Sequence, residues 1–292
     1  MTPDSFTLAI AQPVAVVDGD PSDNIAIAED LVARAAAEGA ALILFPEGFP
    51  GPGLRSPLAG YDAASAMTTA AARHGIAVCW SRMEQCVDDA FRLVVYVVDA
   101  DGNELQRYER SHPATIPPRE EQGVWTAPGP VLPQPFRIDG VPMAVVVCSE
   151  LWVPEPSRVQ AVRGAEVILS PAGGGFTTLT ENWQVLVRAR AIENLCHVAM
   201  TNNRWADEQG AAMIAGPEAV VCTSPTADLQ VARLDLARAR WLRENDDSIV
   251  EPKPFSSIPG LVRARRPELY ETLVAPADDL FAYDRRPADA RA

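Results

Sequence analysis

The chain has 292 residues, with 25 basic and 39 acidic side chains and a formal net charge of −14. This acidic balance disfavours a sequence-independent nucleic-acid binder, because such proteins present a basic face to the phosphate backbone. Lys253 is the single lysine of the sequence, which excludes chemistry on a lysine anywhere else in the chain, such as a Schiff base or a phosphate-loop contact.

The N-terminal part of the chain alternates between apolar runs and helical patterns. Short, fully apolar runs predict buried strands, and a stripe of apolar residues close to the 3.6-residue period predicts the first helix. Asp101-Gly102 is a strong hairpin-turn signal, so the strands on either side of it are expected to pair. The predicted elements in chain order are strand 6–12, helix 24–38, strand 41–45, helix 61–74 and strands 76–80, 91–98 and 104–110.

Residues 111–130 contain five prolines and predict a long loop rather than a helix or a strand. A loop of this length inside a compact domain is usually functional or disordered. His112, Trp125 and the pair Glu120-Glu121 favour a functional loop.

Regular elements resume after this loop. The predicted elements are strand 141–147, helix 154–163, strand 166–170, helix 180–195, strands 197–201, 211–222 and 229–234, and a helix that starts at residue 236. The stretch after residue 246 is rich in proline and is expected to be irregular. Because no linker divides the chain, we expect one α/β domain over residues 1–273, followed by a C-terminal tail, 274–292.

Glu47 follows a fully apolar strand directly and lies between Pro46 and Gly48. A glutamate in this position is either a solvated charge at the end of a strand or a general base whose pKa is raised by partial burial. Taken alone, the solvated charge is the commoner case, but carboxyl ends of buried strands are also where α/β folds place their functional sites.

Cys148 also ends a predicted buried strand and is followed by polar Ser149 and Glu150. A thiol at a strand-to-helix turn can be activated by neighbouring charge and can then attack a carbonyl or nitrile carbon. The alternative is a buried core cysteine, which is the commoner fate of a free cysteine.

The loop after residue 109 offers further charged groups. Arg110 or Arg119 could stabilise a developing oxyanion, and Glu120 or Glu121 could position a base or a substrate. A solvated charged loop is the alternative, and His112 alone is more typical of a structural hydrogen bonder. The three histidines of the chain show no metal-ligand spacing, so no metal site is expected.

Three further features point to the cytoplasm. The N-terminus lacks the basic and apolar regions of a signal peptide. The five cysteines do not form a disulfide framework. No apolar run reaches the roughly 18 residues that a membrane span needs.

Five segments, in order, resemble the signature blocks of the nitrilase superfamily of carbon–nitrogen hydrolases, and the resemblance runs from about Thr7 to Leu273. The segments are LILFPEGFPG, YERSHP, VVVCSELWVPEPSRVQAVRGAEVILSPA, RARAIENLCHVAMTNN and RRPELYETL. The resemblance implies an α-β-β-α sandwich, a Glu-Lys-Cys triad, no cofactor, and a thioester or thioimidate formed with a small amide, carbamoyl compound or nitrile. It also implies a homodimer or a larger homo-oligomer.

The resemblance assigns roles to several residues of this chain. Glu47 matches the base, Cys148 matches the nucleophile, and Glu121 matches a second, assisting glutamate, with Glu120 as the alternative. The pocket residues expected from the resemblance and from the open PAGGG segment are Ser149, whose N–H would lie near the oxyanion, Trp152, Gly173 and His112.

The chain departs from the family pattern at the lysine, where Arg110 stands. Arginine keeps the positive charge but is planar and never deprotonated, so the exchange is not conservative. Arg110 would partly replace the lysine, bind a substrate carboxylate or block ordinary hydrolysis. The leading hypothesis is therefore a Cys148-dependent enzyme that acts on a C–N bond by hydrolysis or acyl transfer. The alternative is a non-catalytic homologue that binds a ligand or serves as a scaffold.

Overall fold

The computed structural model describes residues 2–53, 58–86, 90–114, 126–205, 208–244 and 265–274. Within these residues, twelve strands form two six-stranded sheets. The strands are β1 (Ser5–Ala11), β2 (Leu42–Leu44), β3 (Ala77–Gln85), β4 (Phe91–Val98), β5 (Glu104–Glu109), β6 (Phe136–Ile138), β7 (Val141–Val145), β8 (Val167–Ala172), β9 (His197–Asn202), β10 (Met213–Ala215), β11 (Val220–Thr223) and β12 (Leu229–Asp235). The helices are α1 (Asp23–Ala37), α2 (Ala63–His74), α3 (Pro154–Val162), α4 (Thr180–Asn194), α5 (Leu236–Glu244) and α6 (Glu271–Val274).

The two sheets follow the same plan. The first has the strand order β12-β1-β2-β3-β4-β5, and the second has the order β11-β10-β9-β8-β7-β6. In each sheet three neighbouring strands run parallel, β1-β2-β3 and β7-β8-β9, and antiparallel strands extend the sheet on both sides. Parallel neighbours require crossover connections, and helices α1 to α4 supply them.

Side-chain alternation along the strands explains how the layers pack. On β1, Leu8 and Ile10 face the core shared with the second sheet, whereas Ala9 and Ala11 pack with Leu31 of α1. Because successive side chains of a strand point to opposite faces, one strand serves both the inter-sheet core and the helix layer. Helices α1 and α2 cover the first sheet, and α4, joined by α3, covers the second. The predicted α-β-β-α sandwich is confirmed.

The structure differs from the predicted elements in two places. Residues 211–222 are not one strand, because β10 and β11 form an antiparallel hairpin whose turn is closed by the Gly216 N–H donating to the Ala219 carbonyl at 2.8 Å. The short edge strand β6 was not predicted. It pairs with β7 through a turn in which Asp139 and Gly140 both have positive φ, at 49° and 80°, as a tight hairpin turn requires.

Two further sequence predictions concern the ends of the domain and membrane insertion. The boundary between domain 1–273 and tail 274–292 stays a prediction, because residues 275–292 lie outside the described part of the chain. Among the described residues, no helix has the length and apolar character needed to cross a membrane.

Candidate active site

Glu47, Arg110 and Cys148 lie together at one end of the sandwich. Glu47 follows β2 and Arg110 follows β5 in the first sheet, whereas Cys148 follows β7 in the second. All three border one cavity of about 810 Å³. The sandwich therefore gathers, from the ends of three strands in two sheets, the residues that the sequence placed after buried strands.

The Glu47 carboxylate is buried and has partners on both oxygens. Oε1 lies 2.6 Å from Nη1 of Arg110, and Oε2 accepts a hydrogen bond from the Gly173 N–H at 3.0 Å. The backbone of Glu47 is held as well, because its N–H donates to the Ala172 carbonyl and its carbonyl accepts from the Asn203 side chain. The carboxylate is thus fixed between the two sheets rather than free in solvent.

The Arg110 guanidinium is held on three of its nitrogens. Besides the contact of Nη1 with Glu47, Nε donates to the His112 carbonyl at 3.1 Å and Nη2 donates to Ser149 Oγ at 2.5 Å. Burial acts to lower the pKa of Arg110, but the electrostatic effects of Glu47, Cys148, Glu150 and Tyr108 together outweigh it and the net shift is upward. The guanidinium is a permanent, rigidly oriented cation in the wall of the cavity.

Cys148 adopts an uncommon backbone conformation at the turn after β7. Its φ is +47°, in the left-handed region, and its Sγ lies 3.8 Å from the Gly173 carbonyl oxygen. Burial raises the pKa of the Cys148 thiol, the charge of Glu47 raises it further, and Arg110 lowers it; the net shift is strongly upward. At neutral pH the resting group is therefore a thiol, which needs a nearby base to become a nucleophile.

Glu150 is a buried carboxylate that the sequence analysis did not assign to the site. Its Oε1 accepts hydrogen bonds from the Tyr108 hydroxyl, from the N–H and the hydroxyl of Ser111, and from the His112 N–H, at 2.6 to 3.1 Å. Its Oε2 accepts from the Val147 N–H at 2.7 Å. Burial acts to raise the pKa of Glu150, but hydrogen bonding outweighs it and the net shift is downward. The only sequence signal was an acidic residue two positions after the candidate nucleophile.

The other predicted pocket residues occupy different places. Ser149, Gly173 and Trp152 border the cavity, with Trp152 42% exposed and its ring edge-on to Trp183. His112 does not border the cavity: its carbonyl accepts from Arg110 and Ser149, and its ring Nδ1 lies 2.7 Å from Ser111 Oγ. Glu120, Glu121 and Arg119 lie outside the described residues, as does Lys253.

The cavity is also lined by aromatic side chains and one buried carboxylate, none of which was singled out from the sequence. The carboxylate is Glu208, whose Oε2 accepts a hydrogen bond from the Gly175 N–H. The aromatic residues are Phe49, Tyr61, Phe176, Trp183 and Trp205. These residues come from distant segments of the chain, so their convergence depends on the tertiary fold.

The arrangement brings a thiol, a carboxylate and a guanidinium together within one partly enclosed site. Within the described ranges, no group of three or more His, Cys, Asp or Glu side chains is placed to hold a metal ion. A buried thiol beside a carboxylate, with a fixed cation next to both, is suited to acyl transfer through a covalent intermediate.

A family model described as Carbon-nitrogen hydrolase matches residues 7–244. Among curated proteins, the chain is 27% identical over 276 residues to an N-carbamoylputrescine amidase of Solanum tuberosum, and the match covers 87% of this chain and 91% of the relative.

Solved structures share the fold at lower identity. A carbon-nitrogen hydrolase from Helicobacter pylori G27 has a TM-score of 0.77 and 17% identity, with 93% of this chain and 99% of that chain covered. A mutant amidase from Nesterenkonia sp. AN1, solved with the acetamide moiety of fluoroacetamide added covalently to its active-site cysteine, has a TM-score of 0.73 and 23% identity, with 93% and 98% covered.

Proposed function

Because this chain belongs to the carbon–nitrogen hydrolase family, we propose that it hydrolyses a C–N bond of a small amide or carbamoyl compound through a thioester on Cys148. The observation that carries the proposal is the convergence of Glu47, Arg110 and Cys148 on one cavity. The N-carbamoylputrescine amidase relative is matched over most of its length and supports a carbamoyl or amide substrate.

In the first half of the reaction, Glu47 takes the proton of the Cys148 thiol as Sγ attacks the carbonyl carbon of the substrate. A new C–S bond forms, and the carbonyl oxygen becomes an oxyanion. Glu47 then returns the proton to the nitrogen as the C–N bond breaks, and the amine or ammonia leaves. A thiol with a raised pKa suits this route, because the proton transfer accompanies the attack instead of preceding it.

Arg110 provides the positive charge for the oxyanion in this proposal. In the sequence resemblance it stands at the position of the family's lysine, and in the structure it is buried and borders the cavity together with Cys148. The backbone N–H of Ser149 is a second donor, because the first N–H groups of a helical turn have no partner within the turn. Fixed donors aimed at a developing negative charge are usually the largest contribution to this kind of catalysis.

The second half of the reaction releases the acid. Glu47 takes a proton from water, the water oxygen attacks the thioester carbonyl, and the C–S bond breaks as the proton returns to Sγ. Glu121, or Glu120 in its place, is proposed to assist by orienting groups during these steps. An amine in place of water would give acyl transfer through the same thioester.

A labelling experiment tests the proposal. The protein is incubated with fluoroacetamide and separately with a panel of amides, carbamoyl compounds and nitriles, and the intact mass and the released ammonia are recorded. We expect an acetamide adduct, formed as Sγ displaces fluoride, and turnover of at least one member of the panel.

The matched variants are Cys148→Ala and Cys222→Ala. Cys222 is a partly buried cysteine on β11 that does not border the cavity, so its variant should behave like the wild type, whereas Cys148→Ala should give neither adduct nor turnover. A wild-type protein that forms no adduct and turns over no compound would instead support the non-catalytic, ligand-binding alternative.

A further inference from the structure

Glu150 ties the turn that carries the nucleophile to the segment that follows Arg110. It lies two residues after Cys148, its side chain is fully buried, and its Oε1 receives the N–H groups of Ser111 and His112. A buried carboxylate is costly unless donors surround it, and these two N–H groups are among the donors that this carboxylate receives. The position of the Ser111–His112 backbone is therefore set by the Glu150 side chain.

That backbone in turn holds the guanidinium. The His112 carbonyl accepts from Nε of Arg110 at 3.1 Å and from Ser149 Oγ at 2.6 Å. Ser149 Oγ itself accepts from Nη2 of Arg110. One edge of the guanidinium, formed by Nε and Nη2, is thus bound to two oxygens, and the His112 oxygen depends directly on Glu150.

On the other side of the Arg110 guanidinium, Nη1 donates to the Glu47 carboxylate. With that ion pair alone, the arginine would be free to turn about its contact with Glu47. A planar guanidinium donates in fixed directions, and a misplacement of about 1 Å in a catalytic group can lower the rate roughly 10²-fold. The second anchor is what fixes the plane of the cation relative to Sγ.

We propose that Glu150 is a positioning residue for Arg110, acting through the backbone of Ser111 and His112 and through the Ser149 hydroxyl. The inference rests on the proposed function, in which Arg110 faces the substrate carbonyl. Glu150 does not border the cavity, so it acts on the reaction through the arginine and not through the substrate.

The test compares two reagents on Cys148 in the full-length protein. An amide that the wild type turns over develops an oxyanion that needs Arg110 when Sγ attacks its carbonyl carbon, whereas methyl methanethiosulfonate reacts with the thiol without forming an oxyanion. In Glu150→Gln the new amide N–H₂ cannot accept from the backbone donors, so we expect kcat/KM for that amide to fall by about 10- to 100-fold. The rate of labelling by methyl methanethiosulfonate should change by less than about 3-fold, the size of effect expected of a substitution that does not touch the reacting atoms.

A double variant separates positioning from general loss of structure. Lys at position 110 cannot bind Ser149 and His112 together, so adding Glu150→Gln to Arg110→Lys should cost little beyond Arg110→Lys alone. Glu155→Gln, on the exposed side of α3, is the control and should match the wild type. If Glu150→Gln fails to fold, Tyr108→Phe removes one donor to the carboxylate and should give a smaller effect in the same direction.

The outcomes distinguish the two proposals. If the wild type turns over no compound of the panel, the proposed hydrolysis fails and this inference fails with it. If the wild type turns over an amide and Glu150→Gln turns it over equally well, the proposed function stands and the role of Glu150 is refuted. The same conclusion follows if Glu150→Gln slows both reactions alike, or if the losses of the double variant add.

Discussion

Glu47 and Arg110 form an ion pair with 2.6 Å between Oε1 and Nη1, and the two side chains are only 5% and 6% exposed. Burying two charges is expensive, and such a pair is weak evidence for a gain in stability. Because the pair lies beside Cys148 at the end of a cavity, chemistry explains its presence better than folding does.

Replacement of Arg110 by lysine tests how the cation is used. Lysine has one nitrogen and cannot donate to Glu47, Ser149 and His112 with the geometry of the guanidinium. We expect Arg110→Lys to lower kcat/KM by about 10²- to 10³-fold, the loss typical of a missing oxyanion donor. A steady-state assay on a substrate found in the panel measures this. An increase in ordinary amidase activity would instead mean that the arginine suppresses hydrolysis.

Replacement of Glu47 by glutamine should separate the acidity of the thiol from turnover. The charge of Glu47 raises the pKa of Cys148, so Glu47→Gln should lower that pKa and speed the reaction with methyl methanethiosulfonate at pH 7 to 9. Turnover should fall by about 10²- to 10⁴-fold, because the general base is lost. Glu181→Gln, on the exposed side of α4, is the control. A parallel fall of both rates would contradict this assignment of Glu47.

Gly173 leaves room for the Glu47 carboxylate. A Cβ at this position would lie 3.2 Å from Oε2 of Glu47, so Gly173→Ala should push the carboxylate aside and lower kcat/KM by about 10- to 100-fold with little change in melting temperature. Gly60→Ala is the matched control, because its Cβ would meet nothing within 4 Å. Equal activity of the two variants would show that Glu47 adapts easily.

His197, on β9 in the second sheet, should make the free energy of unfolding depend on pH in the acidic range. Burial lowers its pKa to about 4 from an ordinary value of 6.5. Below about pH 6.5 the unfolded chain binds a proton that the folded chain refuses until about pH 4, so the free energy of unfolding decreases as the pH falls through this window. The full shift corresponds to about 3 kcal/mol.

Urea denaturation between pH 7 and pH 4 measures this effect. His197→Gln should flatten the dependence relative to the wild type, and His74→Gln, at a partly exposed histidine, should not. Other carboxyl groups also titrate in this range, so the difference between wild type and His197→Gln is the quantity to compare. If the two curves stay parallel, His197 has the same pKa in the folded and unfolded chains, and the predicted effect of its burial is absent.

Local pattern in the sequence predicted most of the strands and helices and two of the strand-end residues, whereas the α-β-β-α layering was predicted from the family resemblance. Apolar runs fix which segments are buried strands, and a polar residue directly after such a run must lie at a sheet edge, which located Glu47 and Cys148. The β10–β11 hairpin was missed because Gly216-Pro217 was not taken as a turn within an otherwise apolar stretch.

The surroundings of these residues could not be predicted in the same way. Apart from the Val147 N–H, the donors to the Glu150 carboxylate come from residues about 40 positions earlier in the chain, so little near Glu150 in sequence distinguishes it from a solvated acid. The direction of the Ser149 hydroxyl, which joins Arg110 to His112, depends on side-chain packing alone. The roles of Glu120 and Glu121 and the homo-oligomeric state stay predictions.

The left-handed backbone at Cys148 has a thermodynamic consequence. A side chain with a Cβ in this region costs on the order of 1 kcal/mol that glycine does not. The inactive Cys148→Gly protein should therefore keep, or slightly exceed, the melting temperature of the wild type, because the lost packing of a small thiol is offset by relief of strain. Such a result would indicate that Cys148 is kept for its reactivity and that it lowers the stability of the fold slightly.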